Sequence, residues 1–177
     1  MTTASKITIA RVLLIPLFMW LALVGQQMPA LIVFVLASAT DWVDGYVARK
    51  YKQISDFGKF IDPLADKLLV VSAMLLFVQW GRMPAWALMI VLTREFAISG
   101  VRMLAATKGQ VIAAGLSGKI KTAVTMLGLV LMLSPLYARV LFASVTIDQI
   151  VILCILLTTL YSGIEYLLKS KHILFES

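Results

Sequence analysis

The chain has 177 residues, of which 61% are hydrophobic and only 14% are charged. A soluble domain is about 45–50% apolar, so this composition excludes an ordinary water-facing globule and leaves room for about six membrane spans of ~20 residues each. The formal net charge of +7 does not indicate nucleic-acid binding, because no basic segment alternates with aromatic residues in a polar context.

Six apolar segments follow one another along the chain, and each is long enough for a spanning helix. They cover residues 7–24, 30–49, 60–79, 85–106, 120–136 and 147–168. Glycine and proline interrupt the pattern at 25–29, 81–84 and 134–135, where connections are needed. We therefore predict an all-α integral membrane protein, in which residues 1–177 form a single domain of six transmembrane helices.

The Lys and Arg residues in the loops and towards the span ends are divided unevenly between the two ends of the predicted helices. Twelve lie at one end, namely Lys6, Arg11, Arg49, Lys50, Lys52, Lys59, Arg102, Lys108, Lys119, Lys121, Lys169 and Lys171. Only Arg82 and Arg139 lie at the other end. Cytoplasmic loops collect Lys and Arg, so we predict that both termini face the cytoplasm.

Four of the nine acidic residues lie inside the second and third spans, within 26 residues of sequence, namely Asp41, Asp44, Asp62 and Asp66. A charged side chain costs about 2.5–3.5 kcal/mol at the centre of a span and less near its end. Four acids close together also repel one another, and a multivalent cation relieves that repulsion. Helix capping is the alternative role, and it suits Asp41 poorly, because a helix C-terminus disfavours negative charge.

The spacing of these acids favours a metal site. Asp41 and Asp44 share one face of a helix, and Gly45 and Ala48 lie on the same face. The third span repeats the arrangement with its own set, namely Gly58, Asp62, Ala65 and Asp66. Small residues let a ligand or another helix approach closely. Carboxylates without His or Cys select hard cations such as Mg²⁺ or Mn²⁺, so four of them could hold two metals around a diphosphate.

Residues 41–66 read DWVDGYVARKYKQISDFGKFIDPLAD. This segment resembles the signature of the CDP-alcohol phosphotransferase family, D-x-x-D-G-x-x-A-R, eight residues, then G-x-x-x-D-x-x-x-D. Every fixed position matches, namely Asp41, Asp44, Gly45, Ala48, Arg49, Gly58, Asp62 and Asp66. The six spans and the cytoplasmic termini agree with that family's fold.

The resemblance implies roles for these positions. The first three aspartates hold two divalent cations on the diphosphate of a CDP-linked donor, and Asp66 contributes to the metals and acts as general base. The nucleotide-binding positions are Gly45, Ala48, Arg49 and Gly58. The resemblance also implies a homodimer, and a bacterial inner membrane location with the site on the cytoplasmic side.

The segment from 93 to 122 bears on the acceptor. Arg94 falls inside the fourth span, where a charge is functional by default, and Glu95 beside it is the obvious partner. An interhelical salt bridge that only orients the spans is the alternative, and Lys119 and Lys121 could be no more than topology signals. The functional interpretation is a cationic pocket for an acceptor that carries phosphate. Its members are Arg94, Arg102, Lys119, Lys121 and Arg11.

The run TREFAISGVRMLAATKGQVIAAGLSGKIKT resembles the branch of the family that uses glycerol 3-phosphate. The opening SKITIAR also resembles that branch's N-x-x-T-x-x-R, with Thr8 and Arg11 matching and Ser5 departing from it. The implied reaction is transfer of a phosphatidyl group from CDP-diacylglycerol to glycerol 3-phosphate. The last two spans are expected to contribute little beyond lipid-facing or dimer surface.

Three other functions remain open from the residues. The first is a sister enzyme with another acceptor, such as inositol phosphate or serine. The second is an intramembrane prenyltransferase, which also uses helix-borne aspartates and Mg²⁺ on a diphosphate. The third is a cation transporter with an acidic site, which carboxylates near the membrane midplane would suit better than carboxylates at one interface.

Overall fold

The computed structural model describes residues 3–51, 56–109, 115–135, 140–142 and 145–171. At positions 3–9, 41–51, 56–63, 66 and 140–142 the description covers the backbone alone. All structural statements below concern these described residues.

Within this part of the chain the fold consists of six α-helices and one short β-ribbon. The helices are α1 (Thr3–Leu23), α2 (Gln27–Tyr51), α3 (Asp56–Gln79), α4 (Ala85–Thr107), α5 (Leu116–Leu133) and α6 (Ile147–Lys169). The all-α class is therefore confirmed, and each of the six helices covers most of one predicted apolar segment.

The ribbon between α5 and α6 was not predicted. Strand β1 (Val140–Phe142) pairs antiparallel with β2 (Val145–Thr146). Thr146 then caps α6, because its side chain accepts a hydrogen bond from the backbone N–H of Gln149 while the Gln149 side chain accepts from the backbone N–H of Thr146. The ribbon thus ends in the residue that starts the last helix.

The chain divides into two compact units. The first contains Met1–Trp80 and Leu129–Tyr137, and the second contains Gly81–Gly128 and Ala138–Ser177. In the first unit, α1 packs against both α2 and α3. A buried stripe of α1 includes Ile15, Phe18 and Ala22, and the ring of Phe18 lies 5.4 Å from that of Phe34 on α2.

In the second unit, α4 packs along α6. The buried face of α4 includes Ala87, Leu88, Val91, Ile98 and Val101. Helix α5 approaches α6 closely at Gly128, where an added Cβ would stand 2.6 Å from Cγ1 of Val151. The second unit thus contains α4 packed along α6, with the first part of α5 contacting α6 at Gly128.

Two of the described helices, Leu116–Leu133 and Ile147–Lys169, are long and apolar enough to cross a membrane. Large apolar side chains are also exposed on all six helices, among them Leu13, Ile32, Leu68, Phe96, Leu127 and Leu157. Such a surface is costly in water and suits contact with lipid. Together these features indicate a membrane protein.

Candidate functional site

In the first unit, the buried face of α2 leads directly to the first aspartate pair. Ala30, Phe34 and Ala37 are fully buried. At 100° per residue, positions 41 and 44 continue the same stripe along the helical backbone. The helix therefore carries this aspartate pair in line with its core-facing side.

Helix α3 has the same organisation. Its fully buried residues Ala65, Leu69, Ala73 and Leu76 form one stripe. Positions 62 and 66 belong to that stripe by helical register. Both aspartate pairs thus follow buried stripes of helices that pack in the same unit.

The side chains of the signature residues lie outside the described part of the chain. This holds for the metal and catalytic candidates Asp41, Asp44, Asp62 and Asp66 and for the nucleotide-binding candidates Gly45, Ala48, Arg49 and Gly58. Among the side chains that are described, no group of three His, Cys, Asp or Glu residues could hold a metal ion. The roles given to the signature residues therefore stay predictions.

In the same unit, the side chain of Arg11 on α1 lies beside the part of α2 that leads into the first aspartate pair. It continues the α1 stripe and is only 1% exposed. Its Nε donates to Oγ1 of Thr40 at 3.1 Å, and the Thr40 hydroxyl donates to the carbonyl of Ala37 at 2.6 Å. Thr40 immediately precedes Asp41, so the guanidinium of Arg11 is held beside the backbone that carries the first aspartate.

The second unit contains a cluster of charged side chains that links α4 to α5. Glu95 Oε1 accepts from Nη1 of Arg94 at 2.8 Å and from Nζ of Lys121 at 2.6 Å. The three side chains are mostly buried, with exposed fractions of 14% for Arg94, 21% for Glu95 and 6% for Lys121. One carboxylate thus holds two cations, and the cluster carries a net positive charge.

Helix α6 completes the surroundings of Arg94. Nη2 of Arg94 donates to Oγ of Ser162 at 3.1 Å. A guanidinium has five N–H donors, and the Nε of Arg94 is buried without a hydrogen-bond partner in the described structure. Arg94 is therefore held in place but retains donor capacity for a ligand.

Arg94 also contributes to the wall of a groove on the second unit. The groove has a volume of about 380 Å³ and lies between α4 and α6, and its other lining residues are almost all apolar. Thr159 lies in the same lining and is fully buried, and its Oγ1 has no hydrogen-bond partner in the described structure. The exposed lining of the groove is therefore almost wholly apolar, and the unpaired Nε of Arg94 and Oγ1 of Thr159 are buried behind it.

The remaining acceptor candidates occupy different surroundings. Arg102 is exposed, lies 5.5 Å from the centre of the Tyr166 ring, and donates through Nε to the Tyr166 hydroxyl at 3.3 Å. Lys119 is exposed. Arg11 belongs to the first unit and the other four candidates to the second. The structure thus brings Arg94 and Lys121 together on Glu95, and the joint pocket of all five residues stays a prediction.

Sequence reasoning missed several residues of the second unit. Ser162 contacts Arg94 across 68 positions of sequence. Arg82, interpreted from sequence only as a loop charge, forms a bidentate pair with Asp148, with N–O distances of 2.8 and 2.9 Å. An isolated serine in an apolar helix or an acid in its first turn gives no signal that would have identified these partners.

Comparison with known proteins gives consistent matches. Residues 1–161 match the family model described as CDP-alcohol phosphatidyltransferase. A Bacillus subtilis (strain 168) protein named CDP-diacylglycerol–glycerol-3-phosphate 3-phosphatidyltransferase is 47% identical over 133 residues, which cover 67% of this chain and 69% of the relative.

Two further relatives cover nearly the whole chain. A protein of Sodalis glossinidius (strain morsitans) with the same name is 36% identical over 180 residues, covering 96% of this chain and 95% of the relative. A Mycobacterium tuberculosis (strain ATCC 25618 / H37Rv) protein named probable phosphatidylglycerophosphate synthase is 31% identical over 173 residues, covering 94% and 80%. The resemblance found in the signature segment is confirmed by these matches.

Proposed function

Because the chain belongs to the CDP-alcohol phosphatidyltransferase family, we propose that it transfers the phosphatidyl group of CDP-diacylglycerol to glycerol 3-phosphate and releases CMP. The names of the relatives support this acceptor. One structural observation supports placing the active site at the signature segment, residues 41–66. The helical positions of both aspartate pairs continue fully buried stripes of α2 and α3 in one compact unit.

The donor set of the signature fits divalent metal ions. Asp41, Asp44, Asp62 and Asp66 supply only carboxylate oxygens, which suit Mg²⁺ or Mn²⁺. Asp41 lies ten residues before α2 ends at Tyr51, and Asp66 lies ten residues after α3 begins at Asp56. Helices joined by so short a connection are usually antiparallel neighbours, which would bring the two pairs to the same level. We assign two cations to these four residues.

In this proposal the chain's own residues bind and activate the substrates. Arg49 and the small residues Gly45, Ala48 and Gly58 bind the cytidine nucleotide. Asp66 accepts the proton of the acceptor hydroxyl, whose oxygen then attacks the phosphorus that carries the diacylglycerol group. The bond from this phosphorus to the bridging oxygen breaks, and CMP leaves with that oxygen. Bound divalent cations supply charge neutralisation on the diphosphate and on CMP.

The cationic residues of the second unit suit the phosphate of the acceptor. Glu95 neutralises one of the two charges of Arg94 and Lys121, so a positive charge remains. The terminal nitrogens of Arg94 each make one hydrogen bond in the described part of the chain, to Glu95 and to Ser162, and each carries a second N–H that can form a charge-assisted hydrogen bond to a phosphate oxygen. Lys121 supplies a point charge beside it, and Arg102, Lys119 and Arg11 complete the proposed pocket.

We further propose that all six helices span the bacterial inner membrane, with both termini and the active site on the cytoplasmic side, and that the enzyme is a homodimer. The support for the orientation is the distribution of cations in the sequence. A site at the membrane edge leaves the acyl chains of the donor in lipid while its headgroup reaches water.

The test is release of CMP by the purified protein in detergent, with CDP-diacylglycerol as donor and a panel of acceptors. We expect turnover with glycerol 3-phosphate, little turnover with glycerol, serine or inositol phosphate, and loss of activity after chelation of divalent ions. Asp66→Asn is the matched inactive variant. Faster release with serine or inositol phosphate would overturn the acceptor assignment, and activity that survives thorough chelation would overturn the metal site.

A further inference from the structure

We propose that α6 fixes the guanidinium of Arg94, with Ser162 and Gly163 as positioning residues for the acceptor. This inference rests on the proposed function, because Arg94 is there a ligand of the acceptor phosphate. It assigns to α6 a part in the reaction beyond lipid-facing surface.

The first element is the hydroxyl of Ser162, which is 1% exposed. It donates its proton to the carbonyl oxygen of Thr159 at 3.2 Å. Its oxygen is thereby oriented to accept from Nη2 of Arg94 at 3.1 Å. Since Nη1 of Arg94 is bonded to Glu95 on its own helix, the guanidinium plane is held at both terminal nitrogens.

The second element is the missing side chain at Gly163. A Cβ built there would stand 3.1 Å from Cγ of Arg94, closer than ordinary van der Waals contact. Glycine is a poor helix former, and Gly163 has no positive φ that would require it. The space it leaves is occupied by the stem of Arg94, so the glycine permits the close approach of α4 to α6 at this point.

These two contacts restrict the rotamers of a long side chain before any ligand binds. A charged side chain that is already fixed loses less conformational entropy when it captures its ligand. Without Ser162, Nη2 of Arg94 loses this acceptor, and of the two hydrogen bonds only the one to Glu95 still holds the guanidinium. We therefore expect Ser162 to affect acceptor binding only through its contact with Arg94.

A double-mutant cycle separates this role from a general effect on folding. Ser162→Ala is expected to raise the KM for glycerol 3-phosphate roughly three- to tenfold, the size of one ordinary hydrogen bond, because Ser162 acts on the acceptor only through Arg94. The KM for CDP-diacylglycerol should change less than about twofold. In an Arg94→Ala background, Ser162→Ala should have no further effect. Equal losses for both substrates, or effects that multiply in the double variant, would overturn the inference.

Two matched controls lie on the same helices. In the described part of the chain, the Thr158 hydroxyl donates to the carbonyls of Cys154 and Ile155 on its own helix, so Thr158→Ala should leave both KM values unchanged. Gly100 on α4 has open space around its Cα, so Gly100→Ala should be neutral while Gly163→Ala raises the KM for glycerol 3-phosphate. An effect of Gly100→Ala as large as that of Gly163→Ala would contradict the role of the Arg94 contact.

A second measurement keeps this inference separate from the acceptor assignment. If the wild-type protein does not use glycerol 3-phosphate, the proposed function fails. The contact with Arg94 is then judged from the melting temperatures of the same four proteins. We expect Ser162→Ala to lower Tm in the wild-type background and to have little effect beside Arg94→Ala. Additive Tm shifts would show that Ser162 does not act on Arg94 and would overturn the positioning role.

Discussion

Glu95 is the residue on which the charged cluster of the second unit depends. The same oxygen accepts from Arg94 and Lys121, which come from different helices. Burial makes an unpaired cation expensive, so two cations this close and this buried require a carboxylate between them. The salt bridge considered from sequence as an alternative to a phosphate pocket is therefore present, and it leaves Arg94 with an unpaired donor.

Replacement of Glu95 by Gln should destabilise the protein. The change removes the negative charge and leaves Arg94 and Lys121 to repel each other in a mostly buried environment. We expect a loss of about 2–3 kcal/mol, at or below the usual cost of breaking a buried pair because Glu95 is partly exposed. Thermal unfolding in detergent measures it.

A matched control for this charge is Glu165, which pairs with the exposed Lys169 four residues along α6. Exposed pairs of this kind stabilise proteins little, so Glu165→Gln should change Tm much less than Glu95→Gln. Equal shifts for the two variants would contradict the importance of the buried cluster.

The single substitution Arg94→Ala tests the proposed acceptor pocket. Charge-assisted hydrogen bonds to phosphate are lost, so the KM for glycerol 3-phosphate should rise roughly 10- to 100-fold. The KM for CDP-diacylglycerol should change far less, which steady-state assays with each substrate varied in turn will show. A partial loss shared equally by both substrates would instead identify Arg94 as a structural partner of Glu95 alone.

At the scale of helices, α5 and α6 cross closely because one residue has no side chain. A Cβ at Gly128 would stand 2.6 Å from Cγ1 of Val151 and 3.4 Å from Cδ1 of Ile155. Both neighbours are buried and β-branched, so neither can move freely. The helices must separate, or Val151 must change rotamer, to admit even a methyl group.

Gly128→Ala should therefore destabilise the protein, although alanine is the better helix former. We expect a cost of about 1–3 kcal/mol from overpacking, measured as a lower Tm. Gly100→Ala is the control, because alanine at that open helical position gains propensity without a clash. If both variants were equally stable, the close crossing of α5 and α6 would be wrong.

The ion pair of Arg82 and Asp148 connects the turn before α4 to the first turn of α6. Both side chains are mostly buried, and the bond is bidentate. Asp148 also lies at a helix N-terminus, where the dipole favours an acid. The N-terminal ends of α4 and α6 are therefore held together by an ion pair as well as by packing.

At the scale of the whole chain, the sequence predicts most of the helices but few of their contacts. Apolar runs bounded by Gly81 or Pro135 mark where helices begin and end, because those signals are local. The pairing of Arg82 with Asp148 depends on tertiary structure, and nothing local distinguishes Ser162 from other small residues of an apolar helix. The ribbon before Thr146 is too short to produce a strand pattern.

For the candidate site, too, the sequence predicts positions along the helices but few of the contacts between helices. The signature spacing predicts the positions of the four aspartates, since helical register alone places Asp41 with Asp44 and Asp62 with Asp66. The expected pairing of Arg94 with Glu95, which rested on their adjacency and opposite charge, is confirmed. Sequence reasoning did not reveal that Lys121 shares the carboxylate, because that contact joins two helices across 26 positions of sequence.

The distribution of cations predicts how the chain is oriented in the membrane. Twelve Lys and Arg residues lie at one end of the predicted spans and two at the other, so the connection between α2 and α3 should face the cytoplasm. Arg82, one of the two exceptions, pairs with Asp148. Labelling requires a Cys154→Ser background, because this single native cysteine is exposed.

In right-side-out membrane vesicles, Ile54→Cys should resist a membrane-impermeant maleimide until the vesicles are opened. Gln26→Cys, at an exposed position between α1 and α2, should react at once. The two variants serve as controls for each other, since any leak in the vesicles would label both. Immediate labelling at position 54 with protection at position 26 would invert the topology and move the proposed active site to the opposite face of the membrane.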